Sequence, residues 1–229
     1  MIKMISQNLK TIQTELANLN TTAKLIAVSK TKPNEDIINA YEAGQRDFGE
    51  NYIQELQTKS VNQEINTKCP DIRWHMIGPI QSNKANQLAK VKNLYAIHTV
   101  STEKLVNKLQ NSLPDESSVQ IFIQINTSGE ESKSGLKPDD LNGIEDLVDK
   151  IDKADKLSFT GLMTIGTPVQ EDGSHVLDYK RLLKLRGDLN PGLKLSMGMS
   201  ADYVQAIEHG SDYVRIGSKI FGARDYSKK

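Results

Sequence analysis

Eight short apolar runs alternate along this chain with segments of helical spacing, and that alternation limits the folds open to it. The runs lie at 25–29, 47–48, 73–77, 94–98, 119–125, 157–163, 193–195 and 213–216. Between them fall 35–43, 51–59, 83–91, 103–111, 139–151, 175–189 and 201–208, with Ser82, Thr102 and Ser200 placed to cap helix starts. Strands that alternate with helices pair in parallel through right-handed crossovers. Eight such units close into a (β/α)8 barrel, whereas an open doubly wound sheet usually has fewer strands. The second and seventh runs carry the least β character. No Ser/Gly linker or composition break divides the chain, so residues 1–229 read as one domain.

Ahead of the first strand, Ile2, Ile5, Leu9, Ile12, Leu16 and Leu19 recur every three or four residues and make one apolar helical stripe. It is short for a coiled coil and reads as an extra N-terminal helix packed on its own domain. The same spacing is unlike the single apolar block of a signal peptide, and no run approaches the ~18 residues of a membrane helix. One cysteine, Cys69, permits no internal disulfide and suits a reducing compartment, so a cytoplasmic chain is expected. With 29 basic and 29 acidic side chains there is no general pull towards nucleic acid or an anionic membrane.

A barrel of this kind carries its site on the loops at the C-terminal ends of its strands. After the first run, Lys30 shares a strand face with Ile26 and Val28 and so projects from the interior at the mouth. Desolvation there would lower its amine pKa and leave a nucleophile able to form a Schiff base. By pattern alone, a solvated lysine past a strand end is the commoner outcome. Asn51, after the second run, would either cap the next helix or bond a ligand. His75 sits inside the third run, where a satisfied core histidine is the commoner case, and Gln81 and Lys84 follow on what reads as an exposed face.

The seventh and eighth runs lead into Ser196-Met197-Gly198-Met199-Ser200 and Arg215-Ile216-Gly217-Ser218. Small residues at two adjacent helix starts offer N–H groups and hydroxyls, at the usual phosphate site of this barrel. No phosphate-loop motif, zinc-binding spacing or serine-hydrolase elbow occurs.

A lysine after strand one facing a phosphate site at strands seven and eight resembles pyridoxal 5′-phosphate (PLP) proteins of the alanine racemase N-terminal-domain type. More closely, the chain resembles the pyridoxal phosphate homeostasis protein family, also called the proline synthetase co-transcribed homologue family. The resemblance rests on Leu25-Ile-Ala-Val-Ser-Lys30-Thr-Lys-Pro33, Phe48-Gly-Glu-Asn51-Tyr-Ile-Gln-Glu55 and Trp74-His-Met-Ile-Gly-Pro-Ile-Gln-Ser-Asn-Lys84. It extends through Ser132-Lys-Ser-Gly135, Gly161-Leu-Met163, Leu195-Ser-Met-Gly-Met-Ser200 and Arg215-Ile-Gly-Ser-Lys-Ile-Phe-Gly-Ala-Arg-Asp-Tyr226.

The resemblance implies that Lys30 carries the internal aldimine, that Ser200, Gly217 and Ser218 hold the phosphate, and that Met197 and Asn51 lie near the cofactor. Arg215 would face the pyridine nitrogen. Ser218 stands where threonine is common and keeps the hydroxyl, while Lys219 replaces a usual small residue. An arginine at that nitrogen discourages pyridinium formation and weakens the ring as an electron sink. Related racemases carry a further β domain supplying a tyrosine acid/base, and the chain ends about ten residues after strand eight. The expectation is a cytoplasmic monomer that buffers PLP and passes it to apo PLP-dependent enzymes without turnover. The alternatives are a racemase-like enzyme using Lys30 as its one base, and a cofactor-free Schiff-base lyase or aldolase.

Overall fold

The structure, a computed structural model, describes residues 2–19 and 21–223. Its strands are β1 (Lys24–Val28), β2 (Asp47–Glu50), β3 (Arg73–Met76), β4 (Leu94–Val100), β5 (Val119–Gln124), β6 (Leu157–Met163), β7 (Lys194–Met199) and β8 (Tyr213–Ile216). All are parallel, each pairs with the next, and β8 returns to β1 with Lys24 opposite Tyr213 and Ala27 opposite Ile216. The expected (β/α)8 barrel is the observed fold.

The helices are α1 (Ile2–Asn18), α2 (Asn34–Glu42), α3 (Ile53–Ser60), α4 (Gln63–Lys68), α5 (Ala85–Leu88), α6 (Glu103–Ser112), α7 (Leu141–Asp152), α8 (Val176–Leu189), α9 (Tyr203–Glu208) and α10 (Ser218–Phe221). α1 packs against α2 and α10, burying Ile5, Leu9, Ile12 and Leu16; Leu19 is half-buried, and the Ile2 side chain lies outside the described residues. The expected stripe therefore faces its own barrel. Two helices differ from expectation. The segment 83–91 is a 3-10 turn (Ser82–Lys84) running into the short α5, and α4 is an added helix capped by Asn62, whose side chain accepts from the Ile65 N–H at 3.1 Å.

Strand alternation divides the core. Ala27, Phe48, Trp74, Ile97, Ile121, Leu162, Leu195 and Val214 pack in the layer between strands and helices. Ile26, Ala96, Phe122, Met163 and Tyr213 pack inside the barrel. β2 has one large apolar residue yet all four of its residues are buried. Its polar ends are paired, Asp47 with Arg73 and His75, and Glu50 with Ser29 and Lys59. Gly49 faces the crowded interior, where a Cβ would stand 2.9 Å from both Ile26 and Ile77.

Thr102 caps α6 as expected, its hydroxyl accepting from the Leu105 N–H at 3.3 Å. Ser82 and Ser200 do not cap. Gln81 precedes the 3-10 turn without a side-chain bond, and Asp202 occupies the start of α9. Asp202 instead accepts from the Met199 N–H at 2.6 Å and from the Tyr179 hydroxyl at 2.6 Å, fixing the loop after β7.

Candidate functional site

A cavity of about 420 Å³ opens at the C-terminal mouth of the barrel, within the size range of small-ligand sites. Lys30, Asn51, Ser200, Arg215, Gly217 and Ser218 all line it, with Val28, Ile77, Met163, Ile165 and Met199 as its apolar wall. Met197 does not. It is fully buried in the layer between strands and helices, and Met199 takes the place at the cavity. The reason is local: the β7–β8 register shifts between Ser196 and Met199, and Gly198 lies at φ +91° with Ala206 pressed against it.

Lys30 is half-buried and reaches the cavity on the parity that Ile26 and Val28 set. Its backbone is clamped on both flanks by residues that sequence reading passed over. Ser29 donates its hydroxyl to Glu50 at 2.6 Å, and its carbonyl accepts from Lys59 Nζ at 2.8 Å. On the other side the Thr31 N–H donates to Glu55 at 2.6 Å. Lys59 joins the two carboxylates, at 2.8 Å from Glu50 and 2.6 Å from Glu55. Thr31 lies at φ +63°, a left-handed conformation costly for a β-branched residue, of order 1–3 kcal/mol. The clamp holds that turn. Burial pushes the Glu50 carboxyl up to about 7 against the pull of Lys59, and its Oε2 has no hydrogen-bond partner.

The loops after β7 and β8 meet across the mouth. The Gly217 N–H donates to the Ser200 hydroxyl at 3.2 Å, so Ser200 bridges to the next loop rather than capping α9. Gly217 also lies close to β1, where a Cβ would come within 3.2 Å of the Val28 carbonyl. Lys32 straps the same region by donating to the carbonyls of Phe221, Gly222 and Ala223. Lys219 sits outside the cavity with Nζ 4.7 Å from the centre of the Tyr203 ring. Residues 224–226 of the last family motif lie outside the described residues.

Arg215 is buried, donating from Nη1 to the Ser196 hydroxyl at 2.9 Å and from Nη2 to the Thr164 carbonyl at 2.8 Å. Burial lowers its pKa to about 10, which still leaves it charged at neutral pH. Asn51 faces the cavity; α3 starts after Tyr52 without a side-chain cap, and Gly78 lies against the Asn51 backbone, where a Cβ would overlap it. His75 is a fully buried interior residue bonded to Asp47 and His98, and Gln81 and Lys84 stand away from the cavity. A wider cleft of about 780 Å³ lies beside α8, but its Arg181 and Lys184 are already paired with Asp178 and Asp188.

Residues 2–225 match the alanine racemase N-terminal domain family. The human pyridoxal phosphate homeostasis protein is 47% identical over 218 residues, covering 90% of this chain and 78% of the human protein. The chain belongs to the pyridoxal phosphate homeostasis protein family. Among solved structures of similar proteins, PipY of Synechococcus elongatus without PLP superposes with a TM-score of 0.81 at 30% identity, covering 95% of this chain and 100% of PipY. PipY with PLP bound superposes at 0.78 and 29% identity over the same shares. The barrel, without further inference, is shared with alanine racemase of Corynebacterium glutamicum, at a TM-score of 0.68 and 14% identity over all of this chain and 64% of the racemase. Six of the seven residues expected at the site line the cavity, and Met197 lies in the layer between strands and helices.

Proposed function

We infer that this protein binds pyridoxal 5′-phosphate and serves its homeostasis, holding the cofactor at Lys30 and surrendering it to apo PLP-dependent enzymes. The carrying observation is the convergence of an amine (Lys30), two hydroxyls (Ser200, Ser218) and a guanidinium (Arg215) on one cavity, which Gly217 also lines. That donor set fits an aldehyde, a phosphate and a ring nitrogen, and the names of the relatives agree with it. The cofactor, when bound, supplies an aldehyde that condenses with an amine and a ring that withdraws electrons.

Everything else is done by the chain. The Glu50–Lys59–Glu55 clamp orients the Lys30 backbone, and Ile77, Met163 and Ile165 give the cavity an apolar wall. The Ser200 and Ser218 hydroxyls offer donors to the phosphate, and the Gly217 N–H holds the Ser200 hydroxyl in place. Arg215 presents N–H groups to the ring nitrogen and does not give up a proton there, which disfavours the strongly electron-withdrawing protonated ring. Reversible capture with weak electronic activation suits a carrier. The described residues form one closed barrel, which supports a single cofactor-binding domain over 1–229. Exposed large apolar residues such as Met4, Val61 and Leu177 are scattered along different elements, which supports a monomer. The lone buried Cys69 supports a cytoplasmic setting, and no described helix is long and apolar enough to cross a membrane.

Borohydride reduction of the PLP-loaded protein followed by peptide mass mapping tests the assignment. The pyridoxyl label is expected on Lys30. A label found only on other lysines would remove Lys30 from the site.

A further inference from the structure

The interior of a (β/α)8 barrel is usually filled by branched apolar side chains. Here a line of polar groups runs through it, from the N-terminal floor to the cavity. At the floor, Arg73 and Asp47, the first residues of β3 and β2, form a two-pronged pair at 2.8 and 2.6 Å. Asp47 Oδ1 lies 2.9 Å from His75 Nε2, His75 Nδ1 lies 3.0 Å from His98 Nε2, and His98 Nδ1 lies 3.0 Å from Ser196 Oγ. Ser196 Oγ then accepts from Arg215, which lines the cavity. His75, His98 and Ser196 have no solvent exposure.

The donors and acceptors at the two ends fix the direction of every bond between them. An ionised carboxylate accepts only, so His75 must donate from Nε2. A neutral ring carries one proton, so His75 Nδ1 accepts and His98 donates from Nε2. His98 Nδ1 then accepts from the Ser196 hydroxyl, whose oxygen accepts from the guanidinium. The opposite tautomer of His75 would set a lone pair against the carboxylate. Burial holds both rings below the ordinary histidine range, and Arg73 and His75 hold Asp47 below the carboxylate range although burial alone would raise it. Phe122 stacks flat on His98, with ring centres 4.2 Å apart, and fixes its plane. Lys24 over the Tyr213 ring, Tyr213 itself, Tyr95 and Arg73 are the other ionisable groups facing the two rings.

We propose that Asp47, His75, His98 and Ser196 are positioning residues: a one-way hydrogen-bond line that locks the Arg215 guanidinium, so that a pyridine-type nitrogen in the cavity meets N–H donors held in place. Two of the guanidinium's terminal N–H groups are committed to Ser196 and Thr164, which stops it from swinging about its last bonds. The same side chain lines the cavity. The ligand side of this inference rests on the PLP reading above; the line and the lock do not.

The test is NMR of the ligand-free protein with 15N in its histidine rings and arginine side chains. His75 and His98 are both expected as Nε2–H tautomers at neutral pH, and Arg215 is expected to give separate Nη1 and Nη2 signals because rotation about its Nε–Cζ bond is slow. In Ser196→Ala, with the Thr164 carbonyl alone left to hold Nη2, rotation should quicken and those two signals should broaden towards merging. An Nδ1–H tautomer at either ring, or Arg215 signals indifferent to Ser196→Ala, would overturn the proposal without reference to any cofactor. Should Ser196→Ala fail to fold, His98→Phe cuts the line one step back while preserving the stack on Phe122, and the same merging is expected. In the PLP-loaded protein, Ser196→Ala should weaken PLP binding about tenfold, the loss of one hydrogen bond to a charged group, and move the absorption maximum of the bound chromophore. Unchanged affinity and spectrum would mean that the lock does not serve the ligand. Failure of the parent protein to take up PLP would instead remove the functional reading and leave the NMR result to decide the lock.

Discussion

Glu50 gives this barrel a pH response that a single substitution should remove. Its carboxyl is sealed between Ser29 and Lys59, and burial moves its pKa from 4.5 to about 7. Between those values the folded chain binds a proton here that the unfolded chain has released, so stability falls as pH rises. The contribution is complete below 4.5 and is lost once pH has passed about 7. From pH 5 to pH 8 the loss comes to about 2–3 kcal/mol, at ~1.4 kcal/mol per pKa unit. For a chain of this size that is roughly 5–10 °C in Tm.

Glu50→Gln keeps an oxygen to accept from Ser29 and Lys59, leaves Lys59 paired with Glu55, and does not titrate. His75 and His98 act in the other direction: burial depresses both, so their contribution is present above 6.5 and is lost as pH falls. Subtracting the parent from the variant at each pH cancels them. Urea unfolding at pH 5, 6, 7 and 8 should therefore show the variant gaining about 2–3 kcal/mol on the parent from the lowest to the highest pH. A difference constant to within about 0.5 kcal/mol, the usual scatter of independent sites, would refute the burial argument for Glu50.

Lys59→Met should destabilise the fold by about 3–5 kcal/mol at pH 8, because it leaves a buried carboxylate uncompensated. At pH 5 the loss should be smaller, as Glu50 takes up a proton; equal losses in urea unfolding at both would count against the pairing. Gly198→Ala combines φ +91° with a Cβ only 2.4 Å from that of Ala206, and should cost at least about 2 kcal/mol, read as a lowered Tm. Incubation of the PLP-loaded protein with pooled L- and D-amino acids in deuterated buffer should give no loss of α-proton NMR signal beyond that with free PLP. Catalytic loss that vanished in Lys30→Ala would make the protein an enzyme.

The barrel is legible because its strands are buried on both faces and so write continuous apolar runs, separated by helical spacing. β2 is visible as the run at 47–48 through its position in that alternation, although Gly49 and Glu50 fall beyond that run. What hides it is that each polar residue finds its partner on another element: Arg73 and His75 on β3, Lys59 on α3. Glu55 and Lys59, four apart on a helix, look like an ordinary solvated pair. Only closure of β1 against β2 and α3 buries Lys59 and turns it on the Lys30 loop. His75 and His98 are 23 residues apart and meet because β3 and β4 are neighbours. The exchange of Met197 for Met199 follows from a register shift in β7–β8, which counting residues along a strand does not register.

These hidden contacts share a geometry. The clamp acts on Lys30 from the end of β1 and the interior line acts on Arg215 in β8, and β1 and β8 are the first and last strands, paired with Ile26 opposite Arg215. The cavity therefore sits on the seam where the barrel closes, with Lys30 following β1 on one side and Arg215 in β8 on the other. A ligand joined to Lys30 and bonded to Arg215, as proposed above, would span the seam and stabilise the closed barrel by mass action, increasingly so as its concentration exceeds its Kd. The contacts that hold the two residues lie on opposite sides of that seam, Lys30 being fixed through Glu50, Lys59 and Glu55 and Arg215 through Ser196 and Thr164.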